Sequence, residues 1–194
     1  MKTTLGNPRR RGDYRVFVGA FPTGEIARRI QGLREASDPK TARITDPHVT
    51  LAGTYWRHGP ATADNEAETI ANLEAACSAI EPFELVLGGV QSFLPLSAVV
   101  YLDVRPTDGL LAARQVLLEV LGRDKHRRFV PHLTLAMRLG RRRSRALLTQ
   151  LRQTEWHDRH WAVPVDKLWF MQRGPGDPAW RYLYCLALND RPRS

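Results

Sequence analysis

One hexapeptide occurs twice in this chain, as Pro47-His48-Val49-Thr50-Leu51-Ala52 and as Pro131-His132-Leu133-Thr134-Leu135-Ala136. Five of six positions are identical and the sixth is aliphatic in both. Each copy has strand character, and strand side chains alternate between faces. His48 and Thr50 therefore share one face while Val49 and Leu51 share the other, and His132 and Thr134 stand in the same way against Leu133 and Leu135. The aliphatic face pins the strand to a core; the other presents an imidazole beside a hydroxyl. A lone histidine on a strand is usually a packing or surface residue, but packing alone does not explain this motif written twice.

The surroundings of the two copies rhyme. A compact apolar strand at 15–21 ends at Pro22, and Thr23 caps a helix with Ile26, Ile30 and Leu33 on one face. Asp38-Pro39 ends that helix, and the first motif strand follows. Past Gly59-Pro60, Asp64 or Asn65 caps a helix carrying Ile70, Leu73, Ala76, Cys77 and Ile80. Strands are expected at 83–90 and 99–104, a helix through Leu110, Ala113, Val116, Leu117, Val120 and Leu121, and the second motif strand within 129–135. A basic helix near 144–154 and strands near 163–172 and 180–188 close the chain. The fold class expected is α+β: a bilobal duplication, two pseudo-symmetric lobes each with an antiparallel sheet and helices, and a groove between them. Residues 1–13, with Pro8-Arg9-Arg10-Arg11-Gly12, read as a flexible basic arm before a single domain at 14–190.

Two motif strands across a groove bring together two imidazoles and two hydroxyls. That inventory suits phosphodiester cleavage. A neutral histidine takes a proton from the attacking water, a protonated one gives a proton to the leaving oxygen, and both states are accessible near neutrality. The Thr50 and Thr134 hydroxyls can donate to the nonbridging oxygens. Composition is compatible but does not decide. The formal charge is +9, and the lysines are only Lys2, Lys40, Lys125 and Lys167, the rest of the positive charge being arginine, whose rigid fork suits phosphate. Arginine-rich composition also arises from base usage or thermal adaptation. Two distant cysteines, Cys77 and Cys185, read as reduced thiols, which with no membrane-length apolar run and no secretory signal points to the cytoplasm.

The paired motif resembles the signature of the 2H phosphoesterase superfamily, and within it the RNA 2′,5′-ligase or RNA 2′,3′-cyclic phosphodiesterase group. The resemblance runs from about Tyr14 to Leu188. It implies a bilobal fold with both motifs lining a central groove, no metal and no nucleotide cofactor. It also implies hydrolysis of a 2′,3′-cyclic phosphate to a 2′-phosphate, sometimes with reversible 2′,5′-ligation. Carried onto this chain, His48 and His132 are the catalytic acid and base, with Thr50 and Thr134 as phosphate-binding hydroxyls. His48 is assigned the acid role if the 3′-oxygen leaves, the reverse assignment remaining open. The chain departs from many group members at Ala52-Gly53-Thr54-Tyr55-Trp56 and in having Met137 before Arg138. The partners implied are RNA ends or small cyclic nucleotides, handled by a monomer. Alternatives are a small-nucleotide phosphodiesterase, acting on a 2′,5′-oligoadenylate or an ADP-ribose cyclic phosphate, and a module that binds RNA ends without turnover.

Further candidates are less specific. Arg138 lies an even number of residues from His132, so a continuing strand would put it on the active face, beside a phosphate. Trp56 shares parity with His48 and could stack a base, although tryptophan more often closes a core. Arg141-Arg142-Arg143 and Asp124-Lys125-His126-Arg127-Arg128 could follow an RNA backbone or be solvated surface. His157 and His160 have metal-like spacing but no completing ligands, and read as a surface turn. His58 reads as a loop residue.

Overall fold

A computed structural model describes residues 14–55, 63–122, 124 and 128–189. The basic arm, Trp56, His58 and 125–127 lie outside them. In chain order the elements are β1 (Arg15–Ala20), α1 (Gly24–Ser37), α2 (Pro39–Ala42), β2 (Val49–Tyr55), α3 (Ala63–Cys77), β3 (Phe83–Ser92), β4 (Val100–Arg105), α4 (Asp108–Leu121), β5 (His132–Ala136), α5 (Gly140–Leu151), α6 (Glu155–Asp158), β6 (His160–Val165), β7 (Lys167–Arg173) and β8 (Arg181–Ala187). Asp38 does more than end α1: its carboxylate accepts from Thr41 N and caps α2, with Pro39 in the first turn.

All eight strands form one antiparallel sheet in the order β6-β3-β4-β5-β2-β1-β7-β8. It divides at the junction of the two motif strands into two four-strand halves, β2-β1-β7-β8 and β5-β4-β3-β6, the pseudo-symmetric lobes of an α+β fold. The chain fills them differently from a simple duplication in tandem. Strand β3 follows the first motif yet joins the second lobe, and the run expected as one strand over 163–172 breaks at Asp166. Its first part, β6, lies at one edge of the sheet, while β7 belongs to the opposite lobe. Only Asp166 separates these two strands. A one-residue connection between the first and seventh positions of a sheet requires the sheet to curl strongly.

The helices cover one face. Ile30 of α1, Leu73 and Cys77 of α3, Leu110, Ala113 and Leu117 of α4, and Leu147 and Leu151 of α5 join Val16, Val18, Val49, Leu51, Leu133 and Leu135 in one core. Their packing crosses the pseudo-axis: α1 lies against β5 and α4 against β2. Each lobe's helix therefore braces the other lobe's motif strand, and burying this shared face is the main source of cohesion.

A β-bulge accounts for the Leu-Ala that ends both hexapeptides. Beside β2 the register passes from Gly19↔Thr50 to Val18↔Ala52, and beside β5 from Tyr101↔Thr134 to Val100↔Ala136. The extra residue lets Leu and Ala both face the core. Leu51, Ala52, Leu135 and Ala136 are each fully buried.

Candidate active site

The alternation expected for the motifs is present up to these bulges. Val49, Leu51, Leu133 and Leu135 are buried to 0% exposure, while His48, Thr50, His132 and Thr134 are half-buried on the face that the helices leave open. Strands β2 and β5 meet at the pair Val49↔Leu133. In antiparallel register their flanking neighbours then stand opposite one another, His48 by Thr134 and Thr50 by His132. The four side chains form a square whose diagonals join like residues.

Both imidazoles are oriented alike. His48 Nδ1 lies 2.8 Å from the Asp46 carbonyl oxygen, and His132 Nδ1 lies 2.7 Å from that of Val130. A carbonyl only accepts, so each Nδ1 carries a hydrogen and donates it. The proton that each ring can exchange is then the one on Nε2. Tyr182 reinforces the first of these anchors by donating its hydroxyl to Asp46 Oδ2 at 2.6 Å.

Aromatic rings hold the imidazoles from both sides. His48 stacks on Phe17, with centroids 4.7 Å apart and planes 16° apart, and on Phe21 at 5.2 Å. His132 meets Phe93 edge-on at 5.0 Å and Tyr101 at 5.2 Å. Gly19 makes room for the first wall, because a Cβ there would come within 2.9 Å of the Phe17 ring. Burial among these rings pushes the His48 pKa down to about 4; the Asp46 carbonyl opposes this, while the charges of Arg34 and His132 add to it. This shift favours the neutral imidazole of His48 at pH 7.

Two polar clasps tie the lobes together at the motifs. Asp38 Oδ2 accepts from the backbone N–H groups of Met137 at 3.0 Å and Arg138 at 2.8 Å, just past the second motif, and from Thr41 Oγ1 at 2.7 Å. Burial alone would raise the Asp38 pKa, but these donors outweigh it and hold the carboxyl below its ordinary value. On the other side Arg114 of α4 donates to the Leu51 carbonyl in the first motif. It is itself paired with Asp124 at 2.8 Å and lies over the Phe129 ring.

The remaining candidates divide. Arg138 does not continue a strand: β5 stops at Ala136, and the bulge has already shifted the parity behind its expected placement. It is exposed, held by its backbone, and close enough for its charge to act on Arg173. Trp56 lies outside the described residues. Arg141, Arg142 and Arg143 are exposed in the first turn of α5, and Arg128 is exposed before β5. The segment around His157 and His160 is a largely exposed helical turn running into an edge strand. His157 Nδ1 accepts from Val90 N at 3.1 Å, and His160 packs against Gly88. Among the described residues no three His, Cys, Asp or Glu side chains gather so as to hold a metal ion.

Sequence reasoning missed Asp38, Phe17, Phe21, Phe93 and Tyr101. The Asp-Pro pair was a legible cap for α2, but its reach to residues ninety-nine and one hundred positions away was not. The aromatic walls come from three separate segments, around β1, the end of β3 and β4.

A curled antiparallel sheet with a twofold pair of His-x-Thr strands at its centre defines a two-histidine phosphoesterase class, and comparison with known proteins agrees. Residues 22–177 match the model of the family described as "2'-5' RNA ligase superfamily". A Bacillus thuringiensis protein named "Putative phosphoesterase" is 30% identical over 149 residues, 76% of this chain and 81% of that protein. A Bacillus anthracis protein of the same name matches equally. Among solved structures, Escherichia coli LigT complexed with NADP+ superimposes with a TM-score of 0.65 at 22% identity, covering 92% of this chain and 99% of that one. TT0787 of Thermus thermophilus gives 0.60 at 18% identity, covering 90% and 98%. The chain belongs to the 2'-5' RNA ligase superfamily and is an enzyme of the phosphodiesterase or ligase type. Among the described residues no helix is long and apolar enough to cross a membrane.

Proposed function

We propose that this enzyme opens RNA 2′,3′-cyclic phosphate ends to 2′-phosphates without a metal or cofactor, using His48 and His132 as its acid–base pair. The observation that carries this reading is the Val49↔Leu133 register, which sets two Nδ1-anchored imidazoles diagonally about a position flanked by two threonine hydroxyls. One Nε2 takes a proton from water as its oxygen attacks phosphorus. The P–O3′ bond breaks, and the other Nε2 gives its proton to O3′. Thr50 and Thr134 donate to the nonbridging oxygens. The same steps with a 5′-hydroxyl in place of water give a 2′,5′ linkage.

The family resemblance gives His48 the acid role if the 3′-oxygen leaves, with the reverse open. The aromatic sandwich around His48 argues for the reverse assignment in the free enzyme, because a histidine kept neutral is ready to accept a proton. His132 is then the acid, with Asp103 as its cross-strand neighbour on the same face.

RNA as the substrate is supported by α5, whose first turn holds Arg141, Arg142 and Arg143 and no acidic residue. Cations at a helix N-terminus oppose the helix dipole, a cost that a polyanion lying there would offset. The LigT structures include complexes with NADP+, 3'-AMP and ATP, which supports a nucleotide as the ligand. Two free thiols, Cys77 and Cys185, support a cytoplasmic setting. The deciding assay incubates purified enzyme with nucleoside 2′,3′-cyclic phosphates and resolves 2′- from 3′-phosphate products. Formation of 3′-phosphate, or no turnover of any of them, defeats the proposal.

A further inference from the structure

Arg15 and Arg173 are direct cross-strand partners at the far end of β1 and β7. Alternation along β1 puts Arg15 on the same face as Phe17, the ring stacked on His48. Like charges placed directly opposite one another destabilise a sheet. Among the described residues no carboxylate forms an ion pair with Arg15, Arg173 or Arg138. The pair is nevertheless built with care. Arg173 donates through Nε to the Asp177 carbonyl at 3.1 Å and through a terminal nitrogen to that of Pro178 at 3.4 Å, in a turn that Asp177 closes by accepting from Gly174 N at 2.7 Å. The Arg15 guanidinium lies over the Trp180 ring at 5.3 Å. Trp180 in turn meets Phe17 edge-on at 4.6 Å, so ring contacts run unbroken from His48 to Arg15.

We propose that Arg15 and Arg173, with Trp180 beside them, form a second phosphate subsite that takes a phosphate group of the substrate other than the one that reacts. Two half-buried guanidiniums presented together on the open face suit a phosphate, which accepts from both forks and removes their repulsion. Burial, then the charges of Arg15 and Arg138, hold the Arg173 pKa below the usual arginine value, although the nearby charge of Asp177 opposes them. The phosphate could be the terminal 5′-phosphate of a mononucleotide or the next backbone phosphate of an oligonucleotide. Either way, the preferred substrate carries at least two phosphates.

This inference rests on the proposed function, and calorimetry separates the two. Full-length protein is titrated with adenosine 2′-monophosphate, a product-like ligand with one phosphate, and with adenosine 2′,5′-bisphosphate. Charge-assisted contacts predict that the bisphosphate binds more tightly by roughly tenfold to a hundredfold. Arg15→Gln and Arg173→Gln should each bring that ratio close to one. Arg28→Gln, which removes a charge on an exposed part of α1, should leave it unchanged. Should Arg173→Gln disturb the 174–178 turn, Arg15→Gln carries the test alone, because Arg15 takes no part in that turn. A 2′-phosphorylated dinucleotide, bound more or less tightly than the bisphosphate, identifies which source of the second phosphate is preferred. Equal affinity of the wild type for the two adenosine ligands, or a ratio that survives Arg15→Gln, overturns the subsite. Binding of neither ligand instead overturns the reading of the site between His48 and His132.

Discussion

Val49 and Leu133 are paired across the junction of the two motif strands, and this pairing makes a single site out of two separate motifs. Each contributes an aliphatic side chain to the helix-covered core at 0% exposure. In an antiparallel pair a slip of one residue would turn one strand's histidine and threonine into the core, so burial fixes the register and the register fixes which side chains stand together.

If the histidines act as a pair, His48→Ala and His132→Ala should each lower kcat/KM on a cyclic phosphate by at least about 10²-fold and up to about 10⁴-fold. The double variant should be little worse than either single one, because both protons move in one reaction. Thr50→Ala and Thr134→Ala, each removing one of several donors, should cost less. Near-normal turnover in either single histidine variant, with an unchanged thermal melt, would exclude the mechanism.

Acid–base roles are readable from pH profiles. With His48 as the base at a pKa of about 4, kcat/KM in the free enzyme stays high at pH 5–6 and falls as pH drops through about 4. Phe21→Ala, which opens one side of the sandwich, should move that limb upward toward the ordinary histidine value of 6.5. An acid limb that belongs to His132 instead, surviving in residual His48→Ala activity, would restore the assignment of His48 as the acid.

The same depressed pKa links to stability. Between about 4 and 6.5 the unfolded chain binds a proton at position 48 that the folded site resists. Stability from this group is therefore complete above 6.5 and is lost as pH falls through the window. Denaturant midpoints for wild type and His48→Gln should converge as pH is lowered from 7 to 4.5. Parallel curves would show that His48 does not titrate abnormally.

Asp38 offers a test away from the reacting atoms. Asp38→Ala strips acceptors from the Met137 and Arg138 N–H groups and from Thr41, and should destabilise the fold by about 1–3 kcal/mol in denaturant titration. Because it frees the segment carrying Arg138, KM should rise more than kcat falls. An unchanged midpoint would mean that the clasp contributes nothing.

Chelation separates this mechanism from a metal-assisted one. Cyclic phosphate opening should continue in EDTA at the same rate; loss on chelation with rescue by a divalent ion would contradict it.

Much of this molecule is local and was legible as such. The alternation of His48 and Thr50 against Val49 and Leu51, the helical spacing of Ile30, Leu73, Leu110 and Leu117, and the Asp38-Pro39 boundary depend on periods of two and 3.6 residues, which a chain displays directly. The two-lobed plan followed from the hexapeptide occurring twice. Only the tertiary structure decided which strand joins which lobe, because pairing β3 with β4 and separating β6 from β7 at Asp166 depend on how the whole sheet curls to bury one face. The same holds for Arg138, whose expected parity ended at a bulge that strand pairing creates and no local pattern announces. The rings around His48 and His132, the reach of Asp38 to Met137, and Arg15 opposite Arg173 are contacts between distant segments. Their chemistry belongs to neither segment alone, so it exists only once burial of the shared core has brought them together.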